Sequence, residues 1–199
     1  MNPALNESEF VGRRFTNLNL SDTELAAKEF EDCELLDCNF SGATLLKCRF
    51  IECRFIQCNL SVAKVNGSKF HDVQFDSCKA IGIDWTRANW PTLTMPGTLK
   101  FRKCILNDSS FMNLKLPELV LDDCKARDVD FRDGNFTGAD FNHTDFAGAL
   151  FGKTHLSGAD FTEAVSYDIN VLDNEIRKAK FSLYEAVRLL DCLEIELVG

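Results

Sequence analysis

CELLDCNFSGATLLKCRFIECRFIQCNL, residues 33–60, repeats its chemistry every five residues. Leu35, Phe40, Leu45, Phe50, Phe55 and Leu60 are large and apolar, and two positions before them stand the small residues Cys33, Cys38, Ala43, Cys48, Cys53 and Cys58. A helix has period 3.6 and a strand period 2, so neither keeps every fifth residue on one side. The chain must turn after each pentad, with the large and the small position both facing inward and the other three solvated. Stacked pentads then pair their backbones with the coils above and below, as in other solenoids. The spacing alone does not say whether a coil has three sides or four.

The pattern extends well beyond this stretch. Apolar residues hold the phase at seventeen consecutive sites from Phe10 to Trp90, slip by one residue between Met95 and Phe101, and hold again from Phe101 to Phe161. Sixteen of the seventeen phenylalanines sit in it. Trp85 and Trp90 are therefore expected in the core. The slip carries Pro91, Pro96 and Gly97; one extra residue here predicts a bulge projecting at Met95, Pro96, Gly97 and Thr98, with a tolerated insertion as the alternative.

Bulk properties narrow the function. A chain of 199 residues with 45% hydrophobic content supports one folded domain. Its net charge of -9 disfavours direct contact with nucleic acid or anionic lipid, both of which need a surplus of Lys and Arg. No run of eighteen apolar residues and no basic, apolar leader is present, which predicts a soluble cytoplasmic protein. Nine cysteines without secretion features read as packed thiols in a reducing compartment. His71, His143 and His155 are scattered and outward, and the cysteines lack paired zinc spacing. Phosphate loops, nucleophile elbows and metalloprotease motifs are also missing. The expectation is a protein that is not an enzyme, with no catalytic residue, metal, cofactor or small-molecule ligand.

Charge is unevenly spread. Residues 1–46 carry nine acids and three bases, residues 47–103 four acids and ten bases, and residues 118–173 twelve acids against four bases. The last segment, net -8, spans nearly three coils, roughly 13 Å at the ~4.8 Å spacing of paired strands; 13 Å of duplex DNA carries about eight phosphate charges. Solubility of the repeat is the plainer reading of the same acids. Ser182-Leu183-Tyr184-Glu185 reads as a capping box opening a C-terminal helix, with Leu183, Ala186, Val187, Leu190 and Leu193 on one face and Ile195 and Leu197 alternating after it. That apolar tail exceeds what a coil end needs and points to a twofold homodimer through the C-termini, the alternative being a cap folded back on its own coil.

Ala139-Asp140-Phe141-Asn142-His143 and Ala159-Asp160-Phe161-Thr162-Glu163 resemble the pentapeptide-repeat family, whose pattern is A(D/N)Lxx. That resemblance implies an all-β solenoid, a right-handed quadrilateral β-helix. Residues 1–9 would form an N-terminal cap, 10–166 the β-helix with its phase slip at 95–101, and 167–199 a C-terminal α-helix and dimerisation tail. Four sides would stack Phe10, Phe30, Phe50, Phe70 and Trp90 in one ladder and Cys38, Cys58 and Cys78 in another.

Gly82-Ile83-Asp84-Trp85-Thr86, Cys104-Ile105-Leu106-Asn107-Asp108 and the C-terminal Leu193–Gly199 resemble the topoisomerase-targeting branch of that family: the Qnr-type, mycobacterial MfpA-type, and microcin and albicidin immunity proteins. By layout the chain is nearest the albicidin-immunity type. The resemblance implies a DNA-mimicking dimer that binds DNA gyrase, with topoisomerase IV as a further partner, and protects it from a poison. The acids Asp128, Asp130, Asp133, Asp140, Asp145, Asp160, Glu163 and Asp168 would make the contact. The large side loops of Gram-negative Qnr proteins are missing. An interaction rod whose partner has nothing to do with DNA topology is the other class of function the repeat allows.

Overall fold

Phe10 lies over Phe30, Phe30 over Phe50 and Phe50 over Phe70, with ring centroids 4.9, 5.1 and 5.4 Å apart. In the computed structural model, which describes residues 5–91 and 96–196, residues twenty apart stack throughout the first half, so each coil has four walls of five residues. Wall one pairs Glu9–Val11, Glu29–Glu31, Arg49–Ile51 and Lys69–His71 in parallel. Wall two runs from Arg14–Thr16 through Glu34–Leu36, Arg54–Ile56, Val73–Asp76 and Leu99–Arg102 to Val120–Asp122. Wall three is held by single bridges from Asn19 to Val165, and wall four begins with Glu24–Ala26 on Thr44–Leu46. The result is a parallel β-solenoid of about eight turns.

Each pentad position has a distinct physical task. The central residue fills the tube: all the central sites from Phe10 to Trp85 and from Phe101 to Phe161 are buried. Trp90 is half-buried, tilted against Phe70 at 6.1 Å, with its indole N–H donating to the Trp85 carbonyl at 2.8 Å. The small residue two positions earlier also tethers neighbouring coils. Cys58 Sγ accepts from the Cys38 N–H at 3.4 Å and donates to the Leu35 carbonyl at 3.2 Å, and the link repeats through Cys78, Cys104 and Cys124. Ser68, Ser109 and Thr144 take the same place with hydroxyls. All nine cysteines are free thiols, eight of them buried. Burial pushes the Cys53 thiol up to about 12 and raises Cys48 and Cys124 as well, so these side chains stay protonated donors.

The residue just before the centre is Asp or Asn where its carboxylate or amide oxygen accepts the N–H two residues on: Asn39 from Ser41 at 3.1 Å, Asp140 from Asn142 at 3.2 Å. This local turn explains Asp and Asn at that position. The residue two after the centre forms the corner in the left-handed region, at φ 47–61° where it is not glycine. Each such residue costs about 1–2 kcal/mol, offset by tying the corner to the next coil, as in Asn17 N–H to the Leu36 carbonyl at 3.0 Å.

Gly134 is the one glycine at a small inward site. A Cβ there would lie 2.4 Å from Phe136 Cε2 and 3.0 Å from the Phe131 carbonyl. Gly134→Ala is expected to lose about 1–3 kcal/mol, read as a lower urea midpoint with unchanged slope, although alanine suits the same pentad position at Ala139 and Ala159. A midpoint equal to wild type would show that the Phe136 ring moves aside freely.

Arg13, before Phe15 in the first coil, and Lys28, before Phe30 at the start of the second, replace the small residue. Arg13 pairs with Glu7 at 2.7 Å and lies over the Phe10 ring at 5.3 Å, while Lys28 donates to the Glu7 carbonyl. Leu5, ahead of the first strand, is buried in the core at this end.

Three sequence expectations change. The phase does slip by one, but the insertion is six residues: Phe75 pairs with Phe101, Lys79 with Ile105 and Asp84 with Ser110, each 26 apart. A full pentad plus one residue leaves the phase shifted by one, which is all that periodicity can register. The coil also runs beyond residue 166, since Phe181 stacks on Phe161 at 5.0 Å and Lys180 pairs with Asp160. Finally, Glu185–Leu193 is a 3-10 helix, not an α-helix, and the capping box does not form. Ser182 Oγ instead accepts the Glu163 N–H at 2.8 Å and Glu185 accepts the Ser166 N–H at 3.1 Å, so both tie the segment to the coil behind it.

Candidate partner-binding surface

The eight acids separate by pentad position. Asp130, Asp140, Asp145 and Asp160 precede a central phenylalanine and use one carboxylate oxygen on the N–H of Arg132, Asn142, Ala147 and Thr162 at 3.0–3.2 Å. Asp128, Asp133 and Glu163 form left-handed corners at φ 56–57°. Asp168 lines a cleft of about 460 Å³ with Gly148, Ser166 and Arg188.

Cations answer three of them. Asp130 meets Arg132 at 2.8 Å, Asp145 meets Arg127 at 2.6 Å and Asp160 meets Lys180 at 2.7 Å. The Arg132 guanidinium holds the Asp130 carboxyl below its usual range. Burial pushes Asp160 up, but Lys180 and the Thr162 hydroxyl and N–H outweigh it and leave that carboxyl lowered. A lowered carboxylate contributes stability above its unfolded pKa, and that contribution is lost as pH falls through the folded value; both groups are solvent-accessible, so it is small. Asp128, Asp133, Asp140, Glu163 and Asp168 have no ion-pair partner among the described residues.

The expected stacking of Asp140 on Asp160 is present on wall two. The set as a whole wraps the rod. Asp145 stands on wall three and Asp130 on wall four. Glu163 marks the corner between walls two and three, Asp128 that between three and four, and Asp133 that between four and one. Wall one in these coils presents Lys115, Asn135, His155 and Glu175, a nearly neutral column. The negative surface therefore covers three sides of four.

Of the expected bulge, Pro96 is exposed, but Gly97 and Thr98 belong to the wall. The Gly97 N–H donates to the Pro117 carbonyl at 3.1 Å, and the buried Thr98 accepts the Val73 N–H through its carbonyl at 3.0 Å. Met95 lies outside the described residues, as does Leu197.

At the other end, Val187, Leu190 and Leu193 recur every three residues, which a 3-10 helix aligns in one stripe. Val187, Leu193 and Ile195 are exposed and Leu190 is half-buried, while Leu189 on the adjacent stripe packs on the core. The sequence also set Leu183 and Ala186 on this face at α-helical spacing, whereas Leu183 is exposed and Leu189, outside that face, makes the core contact. Among the described residues no group of His, Cys, Asp or Glu is placed to hold a metal ion, and no helix is long and apolar enough to cross a membrane.

The family model described as a pentapeptide repeat region matches residues 28–99 and 94–161. No curated protein matches the chain. Among solved structures, a trypsin-treated form of QnrB1, a plasmid-mediated fluoroquinolone resistance protein, superposes with a TM-score of 0.63 at 18% identity over 93% of this chain and 100% of that one. A second trypsin-treated form gives 0.55 at 20% identity over 96% and 99%, and full-length QnrB1 gives 0.51 at 18% over 92% and 100%. At such identities the likeness speaks for the fold.

Proposed function

The chain belongs to the pentapeptide-repeat family, and on that premise we propose that it imitates DNA, binds DNA gyrase and topoisomerase IV, and protects them from a topoisomerase poison. QnrB1, which shares the fold, is a fluoroquinolone resistance protein. The observation that carries the reading is the set of acids without cation partners repeated on successive coils around three walls, at the ~4.8 Å coil spacing and close to the linear charge of a duplex. Two chains joined through Val187, Leu190, Leu193 and Ile195 would bring both acidic segments to one central surface on a rod. A basic enzyme surface that normally grips phosphates would then be steered to it electrostatically, with a rate that falls as salt rises.

Supercoiling by gyrase in the presence of a fluoroquinolone, and separately of albicidin, tests the reading. Wild-type protein should restore supercoiling against at least one of them, and the albicidin arm tests the nearer kinship to albicidin-immunity proteins. Asp128→Lys with Asp133→Lys should need about tenfold or more protein for the same rescue, the equivalent of ~1.4 kcal/mol. The fold should tolerate this change, because Lys47, Lys103, Lys153 and Lys178 already occupy left-handed corners. Rescue at wild-type concentrations by the double variant would refute the mimicry, and no rescue by the wild type against either poison would favour a rod with another partner.

A further inference from the structure

The corner between walls four and one carries the opposite charge in the middle of the rod. Lys47 forms that corner at φ 52°. On the next coil Gly67 takes the corner and has no side chain, so Lys47 Cγ passes 3.3 Å from where its Cβ would be. Lys64, on wall four above Thr44, and Lys69, on wall one above Arg49, flank this gap. Arg87 stands one coil further on, its carbonyl accepting the Gly67 N–H at 2.8 Å. The gap is a groove of about 340 Å³ lined by Lys47, Cys48, Arg49, Gly67, Lys69 and Asn89, with no acid among its lining residues.

Three carboxylates lie near: Glu29 holds Arg49 at 2.9 Å, Asp84 holds Arg87 at 3.0 Å, and Glu24, beneath Thr44 on wall four, shares its coil with Lys28. Lys47, Lys64 and Lys69 are exposed and have no ion-pair partner among the described residues. Six bases against three acids leave a local surplus of three positive charges. The whole-chain charge of -9 does not cancel it at close range, because exposed charges beyond ~8 Å are screened at physiological salt and the next acid on this corner, Asp133, stands two coil steps past Arg87, ~10 Å away.

We propose that this corner is a ledge for the phosphate backbone of nucleic acid, separate from the acidic surface. Lysines act as point charges that suit phosphate without demanding base identity. From Lys47 to Arg87 the ledge spans two coil steps, ~10 Å, which faces about six phosphate charges of a duplex. Contact is weak, independent of sequence, and dominated by counterion release.

Fluorescence anisotropy of a short labelled duplex, titrated with the full chain across a range of salt, tests this. Wild-type protein should bind at low ionic strength with a slope of log affinity against log salt of about -3, as three neutralised phosphates predict. Lys47→Glu, Lys64→Glu and Lys69→Glu together should weaken binding by about tenfold or more. The variant Lys103→Glu, Lys115→Glu, Lys178→Glu makes the same change in net charge elsewhere and should bind at least threefold better than the ledge variant, a conservative share of ~10-fold loss. Absence of wild-type binding at low salt, equal losses in both triple variants, or competition by polyglutamate as strong as by unlabelled duplex would each overturn the proposal. Gyrase rescue does not enter the readout, so failure here leaves the mimicry untouched, and the reverse.

Discussion

Replacing Phe50 with alanine is expected to remove about 3–5 kcal/mol of stability. The ring is fully buried between Phe30 and Phe70, stacked at 5.1 and 5.4 Å, with Phe55 edge-on at 5.4 Å. In a globular core some of the resulting cavity collapses. Here the coils are held apart by backbone hydrogen bonds of 2.6–3.1 Å on every wall, so the walls cannot close on the space and the full cavity cost remains. Stacked and edge-on partners are lost in addition to buried area. Because each coil touches only its neighbours, weakening one interior coil should also divide the unfolding transition, with the two halves melting separately. Phe10→Ala should cost less, since Phe10 has a stacked neighbour on one side only. Guanidinium unfolding followed by circular dichroism measures both, and a Phe50→Ala variant within about 1 kcal/mol of wild type would contradict a core of rigid, non-collapsing coils.

Thr144→Val is expected to cost about 2–6 kcal/mol although it keeps shape and volume, because two buried backbone groups lose their partner at ~1–3 kcal/mol each. The Thr144 hydroxyl accepts the Cys124 N–H at 3.2 Å and donates to the Leu121 carbonyl at 2.6 Å, with no exposure to water. Valine supplies neither function, and no water reaches the site to replace it. Thr144→Cys is the control: cysteine already makes both contacts at Cys104 and Cys124, so this variant should stay within about 1 kcal/mol of wild type. Equal stability of the valine and cysteine variants would mean that the small position serves packing alone and the tether between coils contributes nothing.

That tether was half legible. Small residues two before each centre announce an inward site, but spacing does not explain why cysteine, serine and threonine outnumber alanine among them. The explanation needs a neighbour twenty residues away, whose N–H points at the sulfur or hydroxyl. The same holds for the acids. Asp140 and Asp160 were readable as a stacked, outward pair, whereas the engagement of Asp160 with Lys180 depends on a coil past residue 166 that lacks a continuous apolar pattern. The ledge at Lys47 was visible only as a basic average over residues 47–103, because which lysines remain unpaired is a matter of what stands one coil above and below.

Pentad period, inward phase, the one-residue slip and the regional sign of charge all follow from residue order, since each is a local property of five neighbouring positions. The number of walls, the length of the insertion before Phe101, the 3-10 form of Glu185–Leu193 and the distribution of acids over three sides were decided by the stacked coils. The physical reason is that a pentad dictates only where its own side chains point; which residue becomes its neighbour is set by how far the chain travels before it returns to the same wall.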